Sequence, residues 1–458
     1  MKVNQAYRFA LDPNAAQLAA LASHAGASRK AFNWALALVK TQMDQRAAEK
    51  TYGLVGDQLT PSVSWTLPSL RKAWNEAKGD VAPWWAENSK EAYAAGIRNL
   101  VRGLDAWRDS KSGKRKGPKV KFPRFKGKRR TSFCTFTTGV IRVDADRKHV
   151  TLPRLGTIKL HESARKLARR LDAGTARILS ATVKLDGGRW YVSFSCEVDR
   201  QISAHEKPAA VVGVDVGIKH LAVLSTGDVI DNPRHLAGSA RHVRRLSRRV
   251  SRRVGPDRRT RQDASKRWLK ANADRSRAHA RVANLRRDAL HKLTTALAAE
   301  YSTVVAEDLN VAGMVRNRKL AKAISDCGFG TIRTMLGYKT TWSGGRLVVA
   351  DRWFPSSKTC SDCGVVKAKL PLRVRTFECD ACGMVLDRDL NAARNLARLV
   401  ERESGTGVAA DPEPQGSNGR GAGRKTPPAG PAATKRPPHL GTVGRQRPTA
   451  DSELTNAH

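Results

Sequence analysis

The sequence predicts a multidomain α/β protein, and three observations carry that expectation. The chain has 458 residues, enough for roughly two to four folding units with apolar cores. Its second half alternates nearly continuous apolar runs, the pattern of strands buried on both faces, with long helical stretches. Its first half joins an Ala/Leu-rich helical region to short segments of alternating polar and apolar residues, a β-rich unit.

In chain order, residues 4–11 read as a short strand, and Asp12, Pro13 and Asn14 supply the turn and helix start for 15–48. Helices extend to about Trp107, and their Trp positions, Trp84 and Trp85 included, read as core. Lys114 to Arg130 contains no acidic residue, and Gly117, Pro118, Pro123 and Gly127 deny it a helix. It reads as an extended loop whose charges suit phosphates and whose Phe122 and Phe125 anchor it to the body. Segments 131–137, 140–144, 148–152, 179–185 and 189–198 read as strands.

The run 211–224 reads as a buried strand hairpin holding one carboxylate, Asp215. Val243, Leu246, Val250 and Val254 then recur at helical spacing with Arg filling the gaps. A second helix at about 275–300 carries Val282, Leu285, Ala289, Leu293 and Leu297 on its apolar stripe. Buried strands follow at 302–307 and 346–352. Beyond Arg402 the composition becomes Gly, Pro, Ala, Ser and Arg, so 401–458 reads as a disordered basic tail.

Lys and Arg total 84 against 41 Asp and Glu, a formal charge of +43. Such an imbalance repels itself unless a polyanion neutralises it, and nucleic acid does so with release of counterions. No run is apolar and long enough to span a membrane, and the N-terminal residues lack the apolar core of a secretory signal, so a cytoplasmic location is expected. Four of the seven Cys fall in two close pairs, which suits metal ligation in a reducing compartment better than a disulfide framework.

Those pairs are Cys360/Cys363 and Cys379/Cys382, each followed directly by a glycine, Gly364 and Gly383. Two tight turns that aim their sulfurs inward make the tetrahedral thiolate cage of a structural Zn²⁺. Three acids stand where acids are costly: Asp215 within an apolar strand, Glu307 ending the strand 302–307, and Asp389 at a helix start after the second Cys pair. Taken alone, Asp389 reads as an N-cap. Together the three meet what a two-metal phosphodiester site requires, carboxylates holding Mg²⁺ ions about 4 Å apart.

The chain also resembles the TnpB (OrfB) proteins of bacterial insertion sequences, relatives of the miniature type V CRISPR effectors. The resemblance spans roughly 5–400 and rests on GASRKAFNWAL at 26–36, KFPRFKGKRRTSF at 121–133 and GVDVGIKHLAVLSTGD at 213–228. It rests equally on VVAEDLNVAGM at 304–314, WFPSSKTCSDCG at 353–364 and FECDACGMVLDRDLNAARNL at 377–396. It implies that Asp215, Glu307 and Asp389 are the three RuvC carboxylates, with Asp308 and Asp387 the confusable neighbours.

The resemblance further implies an RNase H-like (RuvC) core at 206–355 and 384–400, with a helical insertion at about 234–300 and a zinc ribbon at 356–383. A β-barrel wedge domain would comprise 1–12 and 118–205, with a helical recognition insertion at 13–117. The implied activity is guide-RNA-directed cutting of double-stranded DNA beside a short flanking motif, with the guide encoded at the transposon end. Two rivals share the same residues: an RNA-independent transposase or resolvase, and a non-catalytic nucleic-acid-binding regulator.

Overall fold

Asn14 fixes where the first helix begins. Its side chain accepts the Gln17 N–H while the Gln17 side chain accepts the Asn14 N–H, a reciprocal cap. Strand β1 (Lys2–Asp12) therefore passes almost directly into α1 (Ala15–Thr51). The structure is a computed structural model that describes residues 1–115, 117–127, 133–202, 205–257, 259–371 and 373–405. The expected tail began at 401, but 401–405 continue the last helix (Arg388–Gly405); from residue 406 onward the tail lies outside the described residues, as do Lys116 and 128–132 of the basic segment and its flank.

Helices α2 (Leu67–Val81) and α3 (Lys90–Lys111) pack on α1 through a ring cluster in which Trp74 stacks on Tyr93 at 5.1 Å and meets Trp34 edge-on at 5.3 Å. Trp84 and Trp85, expected in the core, are 39% and 37% exposed. The Pro83 turn after α2 faces them outward, and the Lys78 ammonium lies 3.9 Å above the Trp85 ring. Phe122 does anchor the basic loop, meeting Trp107 at 5.0 Å, whereas Phe125 stays exposed. Asn33 holds both the N–H and the carbonyl of Lys126. The Lys126 ammonium sits 3.6 Å over Phe32, and burial pulls its pKa down to about 8, so this lysine is an internal anchor rather than a phosphate clamp.

The β-rich unit contains β2 (Phe133–Phe136), β3 (Arg142–Val143), β4 (His149–Leu152) and β5 (Gly156–Leu160), then α4 (Arg165–Asp172), β6 (Ala176–Asp186) and β7 (Arg189–Asp199). Neither β5 nor α4 was expected, although Ile158 and Leu160 alternate with exposed residues along β5 and Leu167, Ala168 and Leu171 share one face of α4. With β1 the strands form one antiparallel sheet of order β2-β6-β7-β1-β5-β4-β3. Its two edge strands are neighbours in sequence. The connection 137–141 reaches at most roughly 22 Å, whereas the outer strands of a flat seven-stranded sheet would lie roughly 29 Å apart. The sheet must curl. Helices α1 to α3 share its hydrophobic core, with Phe32, Leu36 and Ile97 in the same buried cluster as Phe136 and Phe194.

The second sheet has order β10-β9-β8-β11-β12, from β8 (Lys207–Asp215), β9 (His220–Leu224), β10 (Val229–Asp231), β11 (Tyr301–Glu307) and β12 (Arg346–Ala350). Strands β8, β11 and β12 are parallel, and β9 runs antiparallel to β8. Between β10 and β11 lie α5 (His235–Ser251) and the long α6 (Lys266–Glu300). After β11 come α7 (Val311–Met314), α8 (Ala321–Cys327) and α9 (Phe329–Trp342). Alternation along each strand sends residues to opposite faces. Val212, Val214 and Val304 face α6 and α9, while Val211, Val305 and Val348 pack with the Leu396 and Val400 side chains of α10 (Arg388–Gly405).

Two details of the helical pair differ from expectation. Helix α5 ends at Ser251, leaving Val254 exposed, and on α6 Leu285 is exposed while Leu290 takes the buried place. Leu285 and Leu290 lie about 140° apart around the helix, so with Val282, Leu290 and Leu297 buried Leu285 falls at the margin of the stripe. No helix among the described residues is long and apolar enough to cross a membrane.

Candidate carboxylate and thiolate sites

Side-chain parity decides which acids meet. On β8, residues 211, 213 and 215 share the face toward α10, and on β11 residues 303, 305 and 307 do the same. The parallel register pairs Gly213 with Val305 and Val214 with Ala306, so Asp215 and Glu307 stand side by side where the two strands end. Asp308 falls on the opposite parity and is held by Arg333 and Arg352.

Helix α10 supplies the third acid. A Cβ added to Gly213 would lie 1.9 Å from the Ala393 carbonyl oxygen, so only glycine admits this contact. Asp389 lies one turn before Ala393 and Asp215 two positions after Gly213, so the close approach carries Asp389 toward Asp215. The capping role expected for Asp389 belongs to Asp387, whose Oδ1 accepts the N–H groups of Asp389 and Leu390 at 2.8 and 3.2 Å. Asp389 is thereby free of the cap and has Arg375 Nη1 at 3.4 Å from its Oδ1.

Burial, then the charges of Glu307 and Asp389, push the Asp215 carboxyl up to about 8, with Arg388 opposing. Ser356 donates its hydroxyl to Glu307 Oε1 and orients that carboxylate. The three acids form a more open group than the cysteines, since among the described residues only the four thiols gather three or more ligand atoms within 4.8 Å of one another. Mutually repelling carboxylates at two strand ends and one helix start fit divalent cations, which would relieve the charge that raises Asp215.

The four sulfurs sit on two matching turns. Gly364 and Gly383 adopt left-handed φ of 82° and 75° and donate to the carbonyls of Cys360 and Cys379 at 3.0 and 2.9 Å. Sγ separations of 3.7 Å (Cys360–Cys382) and 3.5 Å (Cys363–Cys379) match the edge of about 3.8 Å of a tetrahedron with Zn–S bonds of 2.3 Å. Backbone N–H groups of Cys382 and Ala381 draw the Cys379 thiol down to about 6, toward the thiolate a metal needs. The hairpin of β13 (Thr376–Glu378) and β14 (Val385–Asp387) continues past residue 383 and ends beside α10.

Sequence reasoning missed how the two sites are joined. Asn391, fully buried, donates to the Thr359 carbonyl at 2.7 Å and accepts the Ser361 N–H at 2.8 Å. Asn395 donates to the carbonyls of Ser356 and Thr359 at 2.8 and 2.7 Å. Arg388 donates to the Pro371 carbonyl and to Ser357 Oγ. The first Cys turn is thus fastened to the helix that carries Asp389. Two Asn one turn apart inside an apolar helical stripe were the available signal.

Residues 193–318 match the OrfB family of IS605-type elements, described as a probable transposase, and residues 329–396 match the Cas12f1-like TNB domain. Residues 1–47 match an OrfB helix-turn-helix family, although here they fold as β1 and one uninterrupted helix. A Mycobacterium tuberculosis protein, provisionally named an RNA-guided DNA endonuclease, is 41% identical over 93% of this chain and 92% of its own length. InsQ of Escherichia coli K12, with the same provisional name, is 28% identical over 86% of this chain and 92% of its own. The solved Cas12f1–sgRNA–target DNA complex aligns with TM-score 0.47 and 15% identity, over 86% of this chain and 99% of that one. The chain belongs to the OrfB (TnpB) family of insertion-sequence proteins.

Proposed function

We propose that this protein is an RNA-guided DNA endonuclease that hydrolyses phosphodiesters at Asp215, Glu307 and Asp389. The observation that carries the reading is the convergence of three acids at one end of a parallel sheet, with Asp215 raised to about 8 by burial and by the other two. Groups so arranged repel one another unless cations lie between them, and perturbed carboxylates of this kind mark functional sites. Bound Mg²⁺ would supply the Lewis acid and the lowered pKa of the attacking water. Asp215, Glu307 and Asp389 would hold it, Ser356 fixes the Glu307 rotamer, and Arg375 beside Asp389 is placed to meet a substrate phosphate.

In this reading 206–355 and 384–400 form the RuvC-like nuclease, supported by the mixed five-stranded order with one antiparallel neighbour. Residues 356–383 form a zinc ribbon whose metal stands in for a core too small to hold itself. Residues 1–12 and 118–205 form a β-barrel wedge, supported by the forced curl of the first sheet, and 13–117 a recognition insertion packed on it. The exposed Arg241, Arg244, Arg245 and Arg248 of α5 suit phosphates of a guide RNA or its DNA hybrid, while Arg249 is spent on Asp274 of α6. Base pairing by the guide then carries sequence specificity and the protein reads backbone and flanking motif.

The test is to purify the protein expressed with its flanking locus and sequence the RNA that accompanies it. A discrete RNA ending in element-adjacent sequence supports the guided reading. Heterogeneous RNA, or none, moves the assignment to an RNA-independent transposase acting through the same acids.

A further inference from the structure

The segment between β12 and the first Cys turn contains a tryptophan that the fold goes to some length to display. Trp353 is 85% exposed. A lone exposed apolar residue is ordinary on a protein surface, but this one is rigidly mounted. Its N–H donates to Asp351 Oδ1 at 2.8 Å, and the Phe354 N–H closes the turn on the Asp351 carbonyl at 3.1 Å. On one side Arg352 is clamped to Asp308, and on the other Phe354 packs with the Val305 and Leu396 cluster. These contacts fix the backbone of the turn on both sides of Trp353.

The position is as specific as the mounting. Ala350 is the register partner of Glu307, and Ser356 is the hydroxyl that binds Glu307. Trp353 lies midway between them, so its Cα is within about 11 Å of each. It belongs to the carboxyl end of the parallel strands, where ligands of open α/β sheets bind. The chain leaving β11 at that end carries exposed Arg316, Arg318 and Lys319, which offer cations for a sugar-phosphate backbone.

We infer that Trp353 is a stacking platform for a base of the single DNA strand that enters the carboxylate site. The inference rests on the nuclease reading above. An indole face accepts any base, and only an unpaired strand presents base faces, so this contact selects for a strand already opened by the guide. Trp353 is a positioning residue: it holds the strand so that the scissile phosphate meets Asp215, Glu307 and Asp389.

The experiment compares the full chain with its copurified RNA as parent, Trp353→Phe, Trp353→Leu and Trp353→Ala, on a matched duplex in Mg²⁺ under single turnover. Binding of the same duplex is measured in an Asp215→Ala background. We expect Trp353→Ala and Trp353→Leu to cut at least about tenfold more slowly, Trp353→Phe to stay within about threefold, and duplex binding to be unchanged. Loss of rate in Trp353→Ala with parental rate in Trp353→Leu would show that bulk rather than stacking matters, and overturn the inference. Parental cutting by Trp353→Ala would overturn it too, as would a slower rate accompanied by a changed oligomeric state, the mark of a protein contact. A parent complex that cuts no matched duplex would instead remove the nuclease reading, and this inference with it.

Discussion

Gly213 on β8 and Ala393 on α10 meet backbone to backbone, with no room for a Cβ between them: one added to Gly213 would lie 1.9 Å from the Ala393 carbonyl oxygen. That contact sets the distance between the sheet and the helix, and so between Asp215 and Asp389. Gly213→Ala must move the helix or the strand. Overpacking of this kind destabilises by about 1–3 kcal/mol, and cutting should fall further than stability, because displacement of Asp389 opens the carboxylate group. Thermal unfolding and single-turnover cleavage on the same preparation check both effects.

Asp215 should report metal through pH. Its folded carboxyl keeps its proton to about 8, whereas an unfolded Asp releases it near pH 4. Between those values the metal-free native state binds the extra proton, so its stability from this group is fullest at low pH and falls as pH rises toward 8. Added Mg²⁺ should restore stability at pH 8 and weaken as pH drops, its half-saturating concentration rising up to about tenfold per unit below 8. Melting curves across pH with and without Mg²⁺ measure this, and a pH-independent Mg²⁺ effect would contradict the assignment.

Asp215→Asn removes the repulsion at its centre. The metal-free variant should melt several degrees above the parent at pH 8 while losing cleavage by several orders of magnitude. Guided duplex binding, followed by gel shift, should stay at the parental level.

The thiolate cage should hold one zinc per chain. Cys360→Ser or chelation should release it, loosen the turn fastened by Asn391 and Asn395, and weaken cutting although no carboxylate is touched. Asn391→Ala should cost about 1–3 kcal/mol, since it strands the buried Ser361 N–H and leaves Asn395 as the remaining side-chain donor to the Thr359 carbonyl. Elemental analysis beside cleavage separates these effects.

Much of this was legible beforehand because it depends on local chemistry. Turn-forming Asn14, the apolar strands and the paired Cys announce themselves within a few residues. Parity along β11 was enough to separate Glu307 from Asp308. What stayed hidden depends on partners distant in sequence. The exchange of roles between Asp387 and Asp389 depends on where the β14 hairpin delivers the chain. The outward Trp84 and Trp85 follow from the turn that begins at Pro83, and the tie from Asn395 to Thr359 spans 36 positions.

The most direct test of the central claim is cleavage by the reconstituted ribonucleoprotein with its guide reprogrammed to a new duplex, parent against Asp215→Ala. Mg²⁺-dependent cutting should move to the new site with the guide and disappear in the variant, although the variant still binds. Cutting by Asp215→Ala at the parental rate, or cutting that ignores the guide, would contradict it.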